Sequence, residues 1–91
     1  FFTLIGAALA IKCYVGKLPP LIKHPTSDYI RPTPPTLQDC PASTCCEYYD
    51  VKGAYGNRQW LCGKYKCVFK LGCKRDYCVC ANSDDKNCVP P

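Results

Sequence analysis

The chain has no methionine, one histidine (His24), one tryptophan (Trp60) and no Asn-x-Ser/Thr sequon in its ninety-one residues. Each shortage excludes something. Without a sequon, ordinary N-glycosylation has no acceptor. A single His leaves one residue around which a Ser-His-Asp or Cys-His site could form, so the sequence reads as non-enzymatic, with no cofactor. No apolar run approaches the roughly 20 residues of a membrane-crossing helix, and no transmembrane segment is expected. The body shows no sustained 3.6-residue period with caps. Formal net charge is only +5, too little to argue for nucleic acid as a partner.

Cysteine is what the chain has in excess. Ten cysteines in so short a sequence place it among disulfide scaffolds, and point to a secreted, extracellular setting where thiols oxidise. The length allows one small domain, whose core would be marginal without covalent staples.

Residues 1–12 read as an apolar N-terminal extension, and 13–91 as the disulfide-rich domain. Phe1 to Ile11 carries no charge. As a strand it would reach about 36 Å, with apolar residues on both faces, which suits a strand sandwiched inside a structure. Phe1, Phe2, Leu4, Ile5, Leu9 and Ile11 are therefore candidate donor residues for insertion into a neighbouring copy, where ladder hydrogen bonds and side-chain burial are gained together. Two readings compete with it: a secretory-signal remnant ending in Ala8-Leu9-Ala10, a small-x-small cleavage pattern, and docking of the segment on the chain's own domain.

Positions 17–36 form a Pro-rich insertion with six prolines. It excludes regular helix and central strand and favours polyproline II. Thr26, Ser27, Thr33 and Thr36 stand beside Pro as candidate O-glycan acceptors; an undecorated surface loop explains them equally. His24 reads as a solvated loop residue.

Beyond it, Glu47–Lys52 and Arg58–Leu61 flank Gly53–Asn57 as a hairpin with a long loop. Tyr65–Leu71 alternates with period two, and Gly72–Arg75 is expected to turn it into Asp76–Cys80 as a second hairpin. The expected class is all-β, small and disulfide-rich, built of antiparallel β-hairpins with an extended N-terminal strand.

The opening Ile11-Lys12-Cys13-Tyr14-Val15, and Cys78-Val79-Cys80 followed by Asp84-Asp85-Lys86-Asn87-Cys88, resemble the two ends of three-finger (Ly6/uPAR-like) domains over roughly residues 11–88. The resemblance implies the pairings Cys13–Cys45, Cys40–Cys62, Cys67–Cys78 and Cys80–Cys88, with Cys46–Cys73 as a fifth bridge. A rival pattern, of cystine-knot or colipase/prokineticin-like toxins, is carried by Cys40-Pro41-Ala42-Ser43-Thr44-Cys45-Cys46.

Other constellations have plainer explanations. Cys62-x4-Cys67 and Cys73-x4-Cys78 have the look of a four-Cys metal site, but an even cysteine count in a secreted composition favours disulfides, so no metal is expected. Lys64, Lys66, Lys70, Lys74 and Arg75 interleave with Tyr65 and Phe69 as a basic stretch for an acidic partner, glycan or lipid, or as a solvated strand face. Trp60, Tyr48, Tyr49 and Tyr55 form either a recognition patch or the packing itself.

Two functions follow as expectations. In the first, the protein is a secreted structural subunit assembling head to tail with copies of itself into filaments, Val68, Phe69 and Leu71 being the receptor edge. In the second it is a monomeric, toxin-like or Ly6-like ligand of a receptor or ion channel.

Overall fold

The computed structural model describes residues 10–20, 31–50, 57–67 and 70–91. Almost every described residue in regular structure belongs to a strand. These are β1 (Ala10–Leu18), β2 (Thr33–Pro41), β3 (Cys46–Asp50), β4 (Arg58–Cys62), β5 (Gly72–Cys73) and β6 (Tyr77–Cys80), with one 3₁₀ turn at Lys86–Cys88. The small, disulfide-rich all-β class is as expected from sequence.

Three consecutive antiparallel hairpins, β1–β2, β3–β4 and β5–β6, lie side by side in one sheet of order β2-β1-β4-β3-β6-β5. The first hairpin joins the second through Gly16–Leu18 of β1 against Arg58–Trp60 of β4. The second joins the third through β3 against β6.

Gly16 makes the first junction possible. Its position breaks the β1–β2 register, between Val15 opposite Thr36 and Lys17 opposite Thr33, and there β1 takes up β4 as well. A Cβ on Gly16 would lie 2.5 Å from Pro35 Cα and 2.6 Å from Pro35 N, and against the Thr33 carbonyl. All three atoms are backbone, so none moves aside cheaply. The prolines fit because β2 is an edge strand, where a missing N–H need not break a ladder. Strand structure thus enters both ends of the Pro-rich insertion, at Lys17–Leu18 and Thr33–Thr36.

The core is built of cystine. Cys13, Cys46, Cys80 and Cys88 are fully buried, and Cys40 and Cys78 join them, with Ile11, Tyr48 and Cys62 packed alongside. Cys46 stands opposite both Cys62 and Cys80 in the ladders, so sulfur gathers where the second and third hairpins open. The bridges are Cys13–Cys46 (Cα–Cα 5.3 Å), Cys40–Cys62 (5.8 Å), Cys45–Cys67 (5.1 Å), Cys73–Cys78 (4.0 Å) and Cys80–Cys88 (6.4 Å).

Cys40–Cys62 and Cys80–Cys88 are partners that the resemblance also implied; Cys13–Cys45, Cys46–Cys73 and Cys67–Cys78 are replaced. The reason is local. Cys73 and Cys78 face one another directly across β5 and β6, which takes both from more distant partners. Adjacent Cys45 and Cys46 point in different directions. Cys46 faces inward to Cys13, and Cys45 turns to Cys67, whose N–H also donates to the Ser43 carbonyl at 2.6 Å.

That anchoring accounts for a second correction. Of the expected Tyr65–Leu71 strand, the described residues 65–67 and 70–71 are not in strand; Cys67 is drawn toward the Pro41–Thr44 turn. Pairing begins only at Gly72 and Cys73, the residues expected to turn, and the turn falls at Lys74–Asp76, closed by Lys74 N–H to the Tyr77 carbonyl at 2.8 Å. Gly72 has φ +125°, a conformation L side chains resist.

Candidate recognition face

A strand turns alternate residues to opposite sides of its sheet, and the β3–β4–β6 ladder sorts its side chains sharply. One side carries Cys46, Tyr48, Trp60, Cys62, Cys78 and Cys80, the cystine core and its aromatic cover. Trp60 is buried, with the Tyr48 ring tilted against it at 4.8 Å. The Arg58 guanidinium lies 6.0 Å from the Trp60 ring centre, at the outer limit of a cation–π contact. Arg58 Nε donates to the Pro19 carbonyl at 2.9 Å, tying β4 to the end of β1. Burial raises the Tyr48 phenol above its ordinary value; the Asp50 carboxylate adds to this and Arg58 opposes it. Trp60 Nε1 is buried with no acceptor among the described residues.

The opposite side carries Glu47 and Tyr49 from β3, Gln59 and Leu61 from β4, and Tyr77 with the buried Val79 from β6. With Lys64 and Tyr65 beyond β4, most of these line an open groove of about 440 Å³. Tyr49 is among its lining residues. Its hydroxyl donates to Glu47 Oε1 at 2.7 Å, and its ring stacks on Tyr77 at 5.8 Å. The hydrogen bond to the carboxylate holds the phenol proton, and with burial, the Glu47 charge and Tyr77 it pushes the Tyr49 pKa up to about 12. A carboxylate, its bound phenol, a lysine and an outward tyrosine offer hydrogen bonds, charge of both signs and aromatic area. Tyr65 is 74 % exposed. Such a mixture suits protein recognition.

The residues singled out from sequence are placed unevenly. Trp60 and Tyr48 belong to packing, Tyr49 to the open face, and Tyr55 lies outside the described residues. Phe1, Phe2, Leu4, Ile5 and Leu9 of the donor segment lie outside them too, as do Val68, Phe69, Thr26, Ser27 and His24. Ile11 sits within β1 opposite Cys40 and packs on the chain's own cystine core, which corrects its expected place in a neighbouring copy. Leu71 is half exposed beside β5, an outer strand of the sheet. Thr33 and Thr36 are exposed on β2, and Thr36 Oγ1 accepts from Gln38 Nε2 at 3.2 Å. Cys62, Cys67, Cys73 and Cys78 all lie in disulfides. Among the described residues no group of three or more His, Cys, Asp or Glu side chains could hold a metal, and no helix is long and apolar enough to cross a membrane.

Glu47, Gln59 and Leu61 were not singled out from sequence as binding residues. The signal was the shared parity of Cys46, Tyr48, Trp60 and Cys62, which turns Glu47, Tyr49, Gln59 and Leu61 outward together. Comparison of the chain with protein-family models, with curated proteins and with solved structures finds no match.

Proposed function

We propose that this is an extracellular recognition protein without catalytic function, a three-finger-like scaffold that binds a protein partner through the outer face of its central hairpin. One observation carries this reading. Three successive hairpins share a sheet whose cystine core secures one side of the central strands, leaving Glu47, Tyr49, Gln59 and Leu61 partly exposed around a groove on the other. Covalent staples remove the need for a large apolar core, so the outward positions are free to serve binding. The hairpin order and the cystines at the hairpin openings also support the three-finger resemblance.

Labelled protein binding saturably to intact cells of its source, with Tyr49→Ala/Tyr65→Ala weakening it at least about tenfold, is the expected result, since aromatic anchors dominate interfaces. Undiminished binding by the double variant, its circular dichroism unchanged, would refute the reading.

Head-to-tail assembly stands as a second reading, favoured by the outer edge of β5 and the half-exposed Leu71 beside it. In it, the apolar segment before β1 completes the sheet of the next copy. Filaments in negative-stain micrographs that vanish when residues 1–9 are deleted would support it. Monodisperse particles from both forms would exclude it.

A further inference from the structure

The net charge of the chain is concentrated in one segment. Five of its twelve Lys and Arg residues lie between positions 64 and 75, which contain no Asp or Glu; the rest of the chain sets seven cations against seven acids. The whole formal charge of +5 therefore belongs to the approach to the third hairpin and its turn. Lys64, Lys66, Lys70, Lys74 and Arg75 are all exposed, and none is in an ion pair among the described residues, where Lys12–Asp39 is such a pair.

The segment is also anchored and partly apolar. Cys45–Cys67 fixes it to the turn before β3, and Cys73–Cys78 fixes its far end across β5 and β6. Four large hydrophobic side chains are exposed among the described residues, and two belong here: Tyr65, and Leu71 at 50 %.

We propose that Lys66, Lys70, Leu71, Lys74 and Arg75, all exposed, dock the protein on an anionic lipid surface. These lysines and Arg75 face the headgroups, while Leu71 enters the boundary layer, where aliphatic side chains are accommodated. A sulfated glycan would match the cations equally but would gain nothing from an exposed leucine between them. Each cation near a charged bilayer is worth about fivefold in affinity, and the attraction falls within a Debye length of about 8 Å at physiological salt. The inference does not depend on which protein partner the central hairpin meets.

The test is sedimentation of the full, disulfide-intact chain with vesicles of phosphatidylcholine alone and of phosphatidylcholine with phosphatidylserine, at two salt concentrations. Binding to the anionic vesicles only, weakened by salt, is expected. Lys70→Gln/Lys74→Gln should lower affinity about twenty-five-fold, while Lys12→Gln/Lys86→Gln, the same charge change elsewhere, should have a much smaller effect. Leu71→Ser should weaken binding severalfold without changing its salt dependence. Failure to bind anionic vesicles at low salt overturns the proposal, as does equal loss in the two double variants. Retention on immobilised heparin together with an inert Leu71→Ser also overturns it, and assigns the segment to polyanionic glycan.

Discussion

Gly16→Ala tests the junction on which the sheet depends. The added methyl meets Pro35 Cα at 2.5 Å, Pro35 N at 2.6 Å and the Thr33 carbonyl, closer than real Cβ atoms approach backbone. Relief requires β2 to move away from β1. Yet β1 is held on its other side by β4, through Gly16 opposite Trp60, and Cys40–Cys62 ties β2 to β4 across it. The strain has nowhere to dissipate, so the upper part of the overpacking range applies, about 3 kcal/mol. In a domain this small each kcal/mol lowers Tm by roughly 4–8 °C, giving an expected fall of about 12–24 °C. Thermal unfolding of the oxidised protein, followed by far-ultraviolet circular dichroism, reads it directly. A fall under about 4 °C would refute the reasoning, because Gly16 could then not be the close contact that lets β1 serve two hairpins.

Further consequences concern the groove and the bridges. Tyr49 keeps its proton in the folded state up to about 12, against 10.0 ordinarily. Between those values the folded chain holds more protons than the unfolded one. The associated stability is therefore complete below pH 10 and lost as pH rises toward 12. Besides the raised Tyr48, tyrosinate absorbance should show a component titrating at about 12, lost in Tyr49→Phe and shifted toward pH 10 in Glu47→Gln; an unshifted titration in Glu47→Gln would sink the assignment. Limited reduction should open Cys73–Cys78 before Cys13–Cys46. Cys73 is exposed beside Lys74 and Arg75, whereas Cys13 and Cys46 are fully buried, and attack needs access. Alkylation and mass spectrometry identify the order, and early labelling of Cys13 would contradict it.

Much of the architecture was legible because it rests on local signals. The aromatic and β-branched runs at Glu47–Lys52 and Arg58–Leu61 gave the central hairpin, and the cysteine count gave the covalent core. What was not legible depends on tertiary position. Tyr65–Leu71 alternates like a strand, but the Cys45–Cys67 bridge and the Cys67 contact to Ser43 draw its first residues out of the sheet, and no local pattern records a partner more than twenty residues away. The third hairpin was expected a few residues too early for the same reason. Cys45 and Cys46 are adjacent, so spacing alone could not choose between them. That choice also governs the site, because Tyr48 and Tyr49 have the same chemistry and differ only in which face of β3 they occupy.

The most direct measurement is therefore the native disulfide map, obtained by digestion at acid pH and tandem fragmentation that separates Cys45 from Cys46. The expected result is Cys13 joined to Cys46 and Cys45 joined to Cys67, with Tyr49 on the open face beside Glu47. Cys13 joined to Cys45 would contradict the account at its centre. A shift of one residue turns β3 over, placing Tyr48 outside and Tyr49 in the core, and the face assigned to recognition would no longer exist.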